Sequence, residues 1–336
     1  MIALSIVAGQ LTLTGILSWW LCRQFINPDS PFHLLDHPNE RSLHHTPIPR
    51  SGGIAMIIAI MCGMLLTPFS YSESVWLLVG GSLVISAVSM ADDWFDLPAS
   101  VRLLVHMAAS VWVVFGLDVD TSIFVNHWVG LLFFTLSTIW LINLYNFMDG
   151  MDGFAGGMGA IGFSLFAIAG VFHTDIEFSL VAILIAAANV GFLRFNFPPA
   201  KIFMGDAGSA TMGFLVAGLS MWGLSLNLFE LWFPLLVFSP FIFDATATLI
   251  RRALKGEKVW QAHREHYYQR LALAGWGHKK TVVHEYILMF FVGMSAIGML
   301  CWSEAVMIGL GFWALVYSLL AYKADMFCKK NMEGKL

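Results

Sequence analysis

The chain has 336 residues, of which 58% are hydrophobic and 12% charged, with a formal net charge of −4 and a mean hydropathy of +0.74. A soluble domain carries roughly 25% charged residues, so a water-soluble globule is excluded and an all-α, polytopic integral membrane protein is the expectation. No nucleic-acid partner is expected of so acidic and apolar a chain.

In chain order, stretches of about 17 to 25 apolar residues predict about eleven transmembrane helices, over 2–22, 53–70, 75–91, 102–117, 127–146, 154–172, 177–194, 209–224, 230–250, 282–301 and 304–322. Met1 to Leu21 carries no charge and Arg23 follows the apolar run, so this segment reads as a first span with its N-terminus outside, not as a cleavable signal. Eleven crossings then put all 18 Lys and Arg on the inner face, the positive-inside pattern, with a periplasmic N-terminus and a cytoplasmic C-terminus. The outer connections are short and hold only acids, and Trp76, Trp128, Trp222, Trp232 and Trp302 fall at outer helix ends as interfacial anchors. Cys22, Cys62, Cys301 and Cys328 are scattered singly and read as small hydrophobes, without the spacing of a metal site. Residues 1–336 therefore form one membrane-embedded domain whose working loops lie at about 23–52, 91–102, 146–154, 195–209 and 251–281.

Three acidic stations recur at inner helix ends: Asp92, Asp93 and Asp96 in MADDWFD, Asp149 and Asp152 in NFMDGMDG, and Asp206 in NFPPAKIFMGDAGSA. One such station is an ordinary solvated helix end. Three at one depth, including two adjacent like charges that raise each other's pKa unless they share a cation, point to a site. Asp149 and Asp152 share a helical face if the helix runs on, and Gly150 and Gly153 are placed to break it. Oxygen ligands converging without Cys suit a hard cation, Mg²⁺ or Mn²⁺, shared with a phosphate or diphosphate. Gly205, Gly208 and Ser209 around Asp206 place backbone N–H groups at a helix start, where an anion is favoured; the same pattern also serves helix packing. Phe203 is open to two readings, stacking on a base or packing.

Loop one, LLDHPNERSLHHTPIPRSGGIA, ends in Arg50-Ser51-Gly52-Gly53 and reads either as phosphate donors or as a connector. The basic loop Arg251 to Lys280 holds HREHYYQR. It reads as a solvated segment near acidic headgroups or as an anion site built from Arg264, Arg270, His263 and His266.

LLDHPNERSLHHTPIPRSGG, ADDWFD, NLYNFMDGMDG, NFPPAKIFMGDAGS and HREHYYQR, in that order over about residues 35 to 275, resemble the polyprenyl-phosphate N-acetylhexosamine-1-phosphate transferases of the bacterial inner membrane. The resemblance implies that undecaprenyl phosphate attacks the sugar-linked phosphorus of a UDP-N-acetylhexosamine on the cytoplasmic side. The products are undecaprenyl-diphospho-sugar and UMP, and Mg²⁺ is required. It implies Asp149 and Asp206 as metal ligands, and Asp152, Asn196 and Phe203 as uridine contacts with Phe203 stacked on uracil. Asn143 and Asn146 would orient the acids, and Asp92 and Asp93 would organise the lipid phosphate with Arg102 or His106 neutralising it. A phosphate monoester has a second pKa near 6, so the nucleophile is already largely ionised at pH 7. Positioning and charge neutralisation, not a general base, then carry the catalysis.

His266 aligns with a family histidine and His263 less securely; Tyr267, Tyr268 and Gln269 stand where the peptidoglycan enzyme carries further histidines. That departure resembles the branch that initiates O-antigen, and it disfavours a MurNAc-pentapeptide donor. Dimers occur in the family, so a homodimer is allowed. The rival reading is an ion-coupled transporter using intramembrane carboxylates, for which Asp244, two turns before Arg251, is the one acid deep in a span. A CDP-alcohol phosphotransferase is set aside, since DGMDGFAGGMGA lacks the Ala-Arg and the later acid spacing of that signature.

Overall fold

In the computed structural model the described residues are 2–38, 42–44, 46–66, 70–95, 97–119, 121, 124–258 and 263–332, so Asp96 lies outside them. They form helices α1 (Ile2–Ile26), α2 (Gly52–Leu65), α3 (Glu73–Phe95), α4 (Ala99–Gly116), α5 (His127–Met148), α6 (Phe154–Phe172), α7 (Ile176–Asn196) and α8 (Gly205–Ser225). There follow α9 (Trp232–Val237), α10 (Ser239–Leu254), α11 (Tyr267–Leu271), α12 (Gly277–Cys301) and α13 (Val306–Met332). A two-stranded antiparallel hairpin, β1 (Leu35–Asp36) and β2 (Ile48–Pro49), lies in the first loop. The protein is thus an all-helical polytopic membrane protein, with eight helical stretches long and apolar enough to cross a bilayer among the described residues.

The other predicted spans take different forms. α1 is long enough at 25 residues. At 14 residues α2 rises only about 21 Å, short of a bilayer core of about 30 Å. It is enclosed by its neighbours, with ten of its residues buried. The span predicted over 230–250 is broken in two at Phe238, and Pro240 sits in the first turn of α10, where no N–H is needed.

α8 is the hub, buried without interruption from Ala207 to Gly223. Small residues permit this: a Cβ on Gly53 of α2 would stand 2.2 Å from the Gly208 Cα of α8, so the two backbones touch. Outward, Leu103, Leu104, Met107, Val111, Trp112 and Phe115 of α4 are exposed, an apolar face that only lipid satisfies. Glu177 accepts from the Ser72 N–H at 2.6 Å at the end expected outside, while Arg50 meets Asp93 at the end expected inside.

Candidate active site

A backbone clasp builds the floor of the site. The Phe203 N–H donates to Pro49 O at 2.7 Å, Gly52 N–H to Phe203 O at 2.9 Å and Gly53 N–H to Met204 O at 2.8 Å. The chain then turns at Gly205, whose φ of +70° and whose 2.1 Å approach of Arg50 O to a would-be Cβ admit glycine alone. Loop one and the 202–205 segment are thereby held edge to edge, which brings Arg50, Phe203 and Asp206 together. The His44 ring meets Phe203 edge-on at 4.9 Å between centroids.

The glycine break anticipated after Asn146 is present. α5 ends at Met148, Asp149 caps it, and Gly153 at φ +76° starts α6. Asp149 and Asp152 therefore leave the helix and do not share one of its faces. Asn196 ties this turn to the next segment: its Oδ1 accepts from the Gly153 N–H and its Nδ2 donates to Ile202 O, both at 2.9 Å. With both amide ends spent on backbone and 3% exposure, Asn196 positions the walls of the site; this corrects its expected role as a uridine contact.

Charges are paired across three helices and loop one. Arg50 Nη1 lies 3.1 Å from Asp93 Oδ1, and Arg102 Nη1 lies 2.6 Å from Asp92 Oδ2 and 3.8 Å from Asp206 Oδ2. Asn146 Nδ2 donates to Asp206 Oδ1 at 2.9 Å and to Ser209 Oγ at 3.0 Å. Asn143 spends its Nδ2 on Ile139 O at 2.7 Å. Burial pushes the Asp149 carboxyl well above the usual carboxylate range, the Asp206 and Asp36 charges push it further, and the Gly205 N–H opposes them. A cation beside it would reverse that balance.

Two adjoining cavities result. The larger, about 530 Å³, is lined by Asp36, Arg50, Arg102, Asp149, Asp152, Asp206, Phe203, Gly205 and the histidines 44, 263, 266 and 278, with others. The smaller, about 210 Å³, is lined by Arg102, His106, Asn143, Asn146, Phe147 and Asp206 among others. Arg102, Asn146, Phe147 and Asp206 belong to both. Even with the Asp149 proton retained, the carboxylates of Asp36, Asp152 and Asp206 outnumber the guanidiniums of Arg50 and Arg102 in the larger cavity, so a diphosphate enters it favourably only with a cation. Among the described residues no three His, Cys, Asp or Glu side chains gather as a cage. The donor set, two carboxylates facing space for phosphate and water, fits Mg²⁺, which keeps several waters and is commonly bound through one or two carboxylates plus substrate phosphates.

The histidine loop is anchored from within the bundle. Asp244 accepts from the Tyr267 N–H at 2.8 Å and the Tyr268 N–H at 3.0 Å, and its Oδ1 lies 3.4 Å from His266 Nδ1. Asp244 is thus spent on holding α11, which removes the observation that favoured a transporter. His266, 3% exposed, caps α11 and stacks between Phe147 and Tyr268. His263 stands 4.8 Å from the His266 ring; burial, then His266 and Arg252, push its pKa down to about 4, so it is neutral at pH 7. Arg264 is exposed and lines neither cavity, a correction to its expected role in anion binding. Arg270 is likewise engaged elsewhere: it and Arg251 both bind Asp325 of α13 and flank the Tyr267 ring.

The structure thus brings Asp92, Asp93, Arg102, His106, Asn143, Asn146, Asp149, Asp152, Phe203, Gly205, Asp206, Ser209, His263 and His266 to one end of the bundle. It adds Asp36, His44 and His278, which carried no spacing signal; His278, twelve residues past His266, lay among basic loop residues.

The chain belongs to glycosyl transferase family 4, whose profile matches residues 75–224. A Bacillus subtilis relative named "Probable undecaprenyl-phosphate N-acetylglucosaminyl 1-phosphate transferase" is 31% identical over 279 residues, covering 78% of this chain and 76% of that protein. The decaprenyl-phosphate N-acetylglucosaminephosphotransferase of Mycobacterium leprae is 27% identical, with 78% and 75% covered. The phospho-N-acetylmuramoyl-pentapeptide-transferase of Listeria welshimeri is 26% identical, with 70% and 78% covered. The family resemblance carried by the loop motifs is borne out.

Proposed function

We propose that the protein transfers N-acetylhexosamine-1-phosphate from a UDP-sugar to undecaprenyl phosphate at the cytoplasmic face of the bacterial inner membrane. The observation that carries this reading is the wall of Arg102, Asn146 and Asp206 common to a large polar cavity and a smaller one beside the lipid-facing α4. Such a wall suits a transfer between a water-borne donor and a membrane-borne acceptor.

The larger cavity takes the UDP-sugar, with Phe203 against uracil, Asp152 accepting from the base, and Asp149 and Asp206 holding Mg²⁺. Bound there, Mg²⁺ supplies neutralisation of the diphosphate charge. The smaller cavity takes the lipid phosphate. Arg102, itself held by Asp92, neutralises it there, with His106 and Asn143 alongside. One phosphate oxygen of the lipid forms a bond to the sugar-linked phosphorus as the bond from that phosphorus to the bridging oxygen breaks, and UMP leaves with both electrons. No proton need be taken from the nucleophile. Greater identity to the N-acetylglucosaminyl relative than to the MurNAc-pentapeptide one, together with Tyr267-Tyr268-Gln269, supports a simple N-acetylhexosamine donor and an initiating role such as that of O-antigen synthesis.

The test is UMP release by the purified protein with undecaprenyl phosphate, Mg²⁺ and a panel of UDP-N-acetylhexosamines. Turnover that needs both substrates supports the reading, and silence across the panel overturns it.

A further inference from the structure

Asp152 is 7% exposed, and among the described residues each of its carboxylate oxygens has one partner. Oδ2 accepts from the Ala200 N–H at 3.0 Å, and Oδ1 lies 3.0 Å from His278 Nδ1. The two holds come from separate parts of the chain. Ala200 belongs to the segment before the clasp. His278 stands in the first turn of α12, delivered by a bend in which Gly275 and Gly277 take φ of +115° and +67°. Asp152, His278 and Phe203 line the same cavity. An ionised carboxylate oxygen accepts about two hydrogen bonds, so the carboxylate keeps acceptor capacity in the cavity that it shares with Phe203.

We infer that His278 is a positioning residue that makes this site selective for uracil over cytosine, an inference that rests on the nucleotide-sugar reading above. The carboxyl torsion of an aspartate is broad and roughly two-fold, so a single hydrogen bond to Ala200 leaves it free to swing. A second hold from His278 removes that freedom and fixes an acceptor-only edge. Uracil presents an N–H donor at N3, which such an edge accepts. Cytosine presents a lone pair at N3, which it repels, and cytosine's exocyclic amine gains from the carboxylate only if the carboxylate turns. Sites built to hydrogen-bond a substrate N–H reject analogues lacking it far better than apolar pockets reject a missing methylene, and this requires that the acceptor be held still.

A role confined to packing α12 against the 150–153 turn would weaken all nucleotides alike. The discriminating readout is therefore the ratio of UMP to CMP affinity, measured by calorimetry on the full-length protein in nanodiscs with Mg²⁺. Wild type is expected to prefer UMP by at least about 30-fold. His278→Ala is expected to lose about tenfold in UMP affinity, the worth of one oriented hydrogen bond, and to bring the ratio near 3. His278→Asn sets an amide N–H where Nδ1 stands and is expected to keep most of the preference. Should the alanine variant fail to fold, His278→Leu keeps the bulk, removes the donor and answers the same question. An unchanged ratio in a folded variant lacking the donor overturns the inference and leaves the proposed function standing. Wild type that binds UMP no better than CMP, or binds neither, overturns both.

Discussion

Replacing Arg102 by Gln tests how the acceptor phosphate is neutralised. Arg102 is the guanidinium that lines both cavities, 2.6 Å from Asp92 and 3.8 Å from Asp206. Opposite unit charges about 4 Å apart at an effective dielectric of about 20 interact by roughly 4 kcal/mol. The Arg102 side chain is 38% exposed, so solvent screening takes about half of that, leaving about 2 kcal/mol. Lost from the transition state, this is about a 30-fold fall in kcat/KM for the polyprenyl phosphate. Initial rates of UMP release with varied acceptor measure it, and KM for the UDP-sugar is expected to move less than about threefold, since Arg50 remains in the donor cavity. Arg102→Lys keeps the charge without the planar fork and is expected to recover part of the loss. Acceptor kinetics of a folded Arg102→Gln protein within twofold of wild type would refute the assignment of the smaller cavity.

Asp206→Asn and Asp149→Asn are each expected to lower turnover by more than about 100-fold at any Mg²⁺ concentration, with unchanged thermal melting; recovery at high Mg²⁺ would contradict their place as ligands. His266→Ala is expected to lose more activity than His263→Ala, because His266 caps α11 and is held at Asp244 while His263 is only in ring contact with it; the reverse order in UMP-release rates counts against this arrangement. The folded pKa of His263 lies at about 4, below the unfolded value near 6.5. The stability it allows is therefore whole above pH 6.5 and declines as pH falls toward 4, where the unfolded chain takes the proton the folded site refuses. Melting temperatures of His263→Gln should fall less over that window than those of wild type. Asp325→Asn frees Arg251 and Arg270 and loosens the loop carrying His263 and His266; a fall in kcat of about 10-fold with little change in donor affinity is expected from coupled turnover and binding measurements.

The long apolar helices are legible because lipid imposes length and apolarity residue by residue, with no long-range knowledge required. The failures have the opposite character. α2 is shorter than its apolar run suggests because neighbouring helices, not lipid, enclose it. Arg264 and Arg270 look alike in a basic loop, yet neither lines a cavity: Arg264 is exposed, and Arg270 answers to Asp325, 55 residues away. Asn196 belongs to the expected cluster, but only the fold reveals that two backbone groups consume its amide. His278 is invisible for the same reason, since its partner Asp152 lies on a different helix end. Asp244 sits deep in an apolar run, where an acid suggests ion traffic, and its partners are main-chain N–H groups 23 and 24 residues further on.

The clasp between loop one and the 202–205 segment is written in main-chain atoms. A pairing of that kind ignores what the side chains are, provided glycine keeps Gly205 and the close approach of Gly53 to Gly208. The main-chain frame that carries Asp206 therefore does not depend on the identity of the side chains that loop one turns toward the larger cavity, such as Asp36 and Leu43. A frame held by main-chain bonds and bordered by exchangeable side chains separates the geometry that carries the Asp206 carboxylate from the surface that a ligand in the larger cavity would meet.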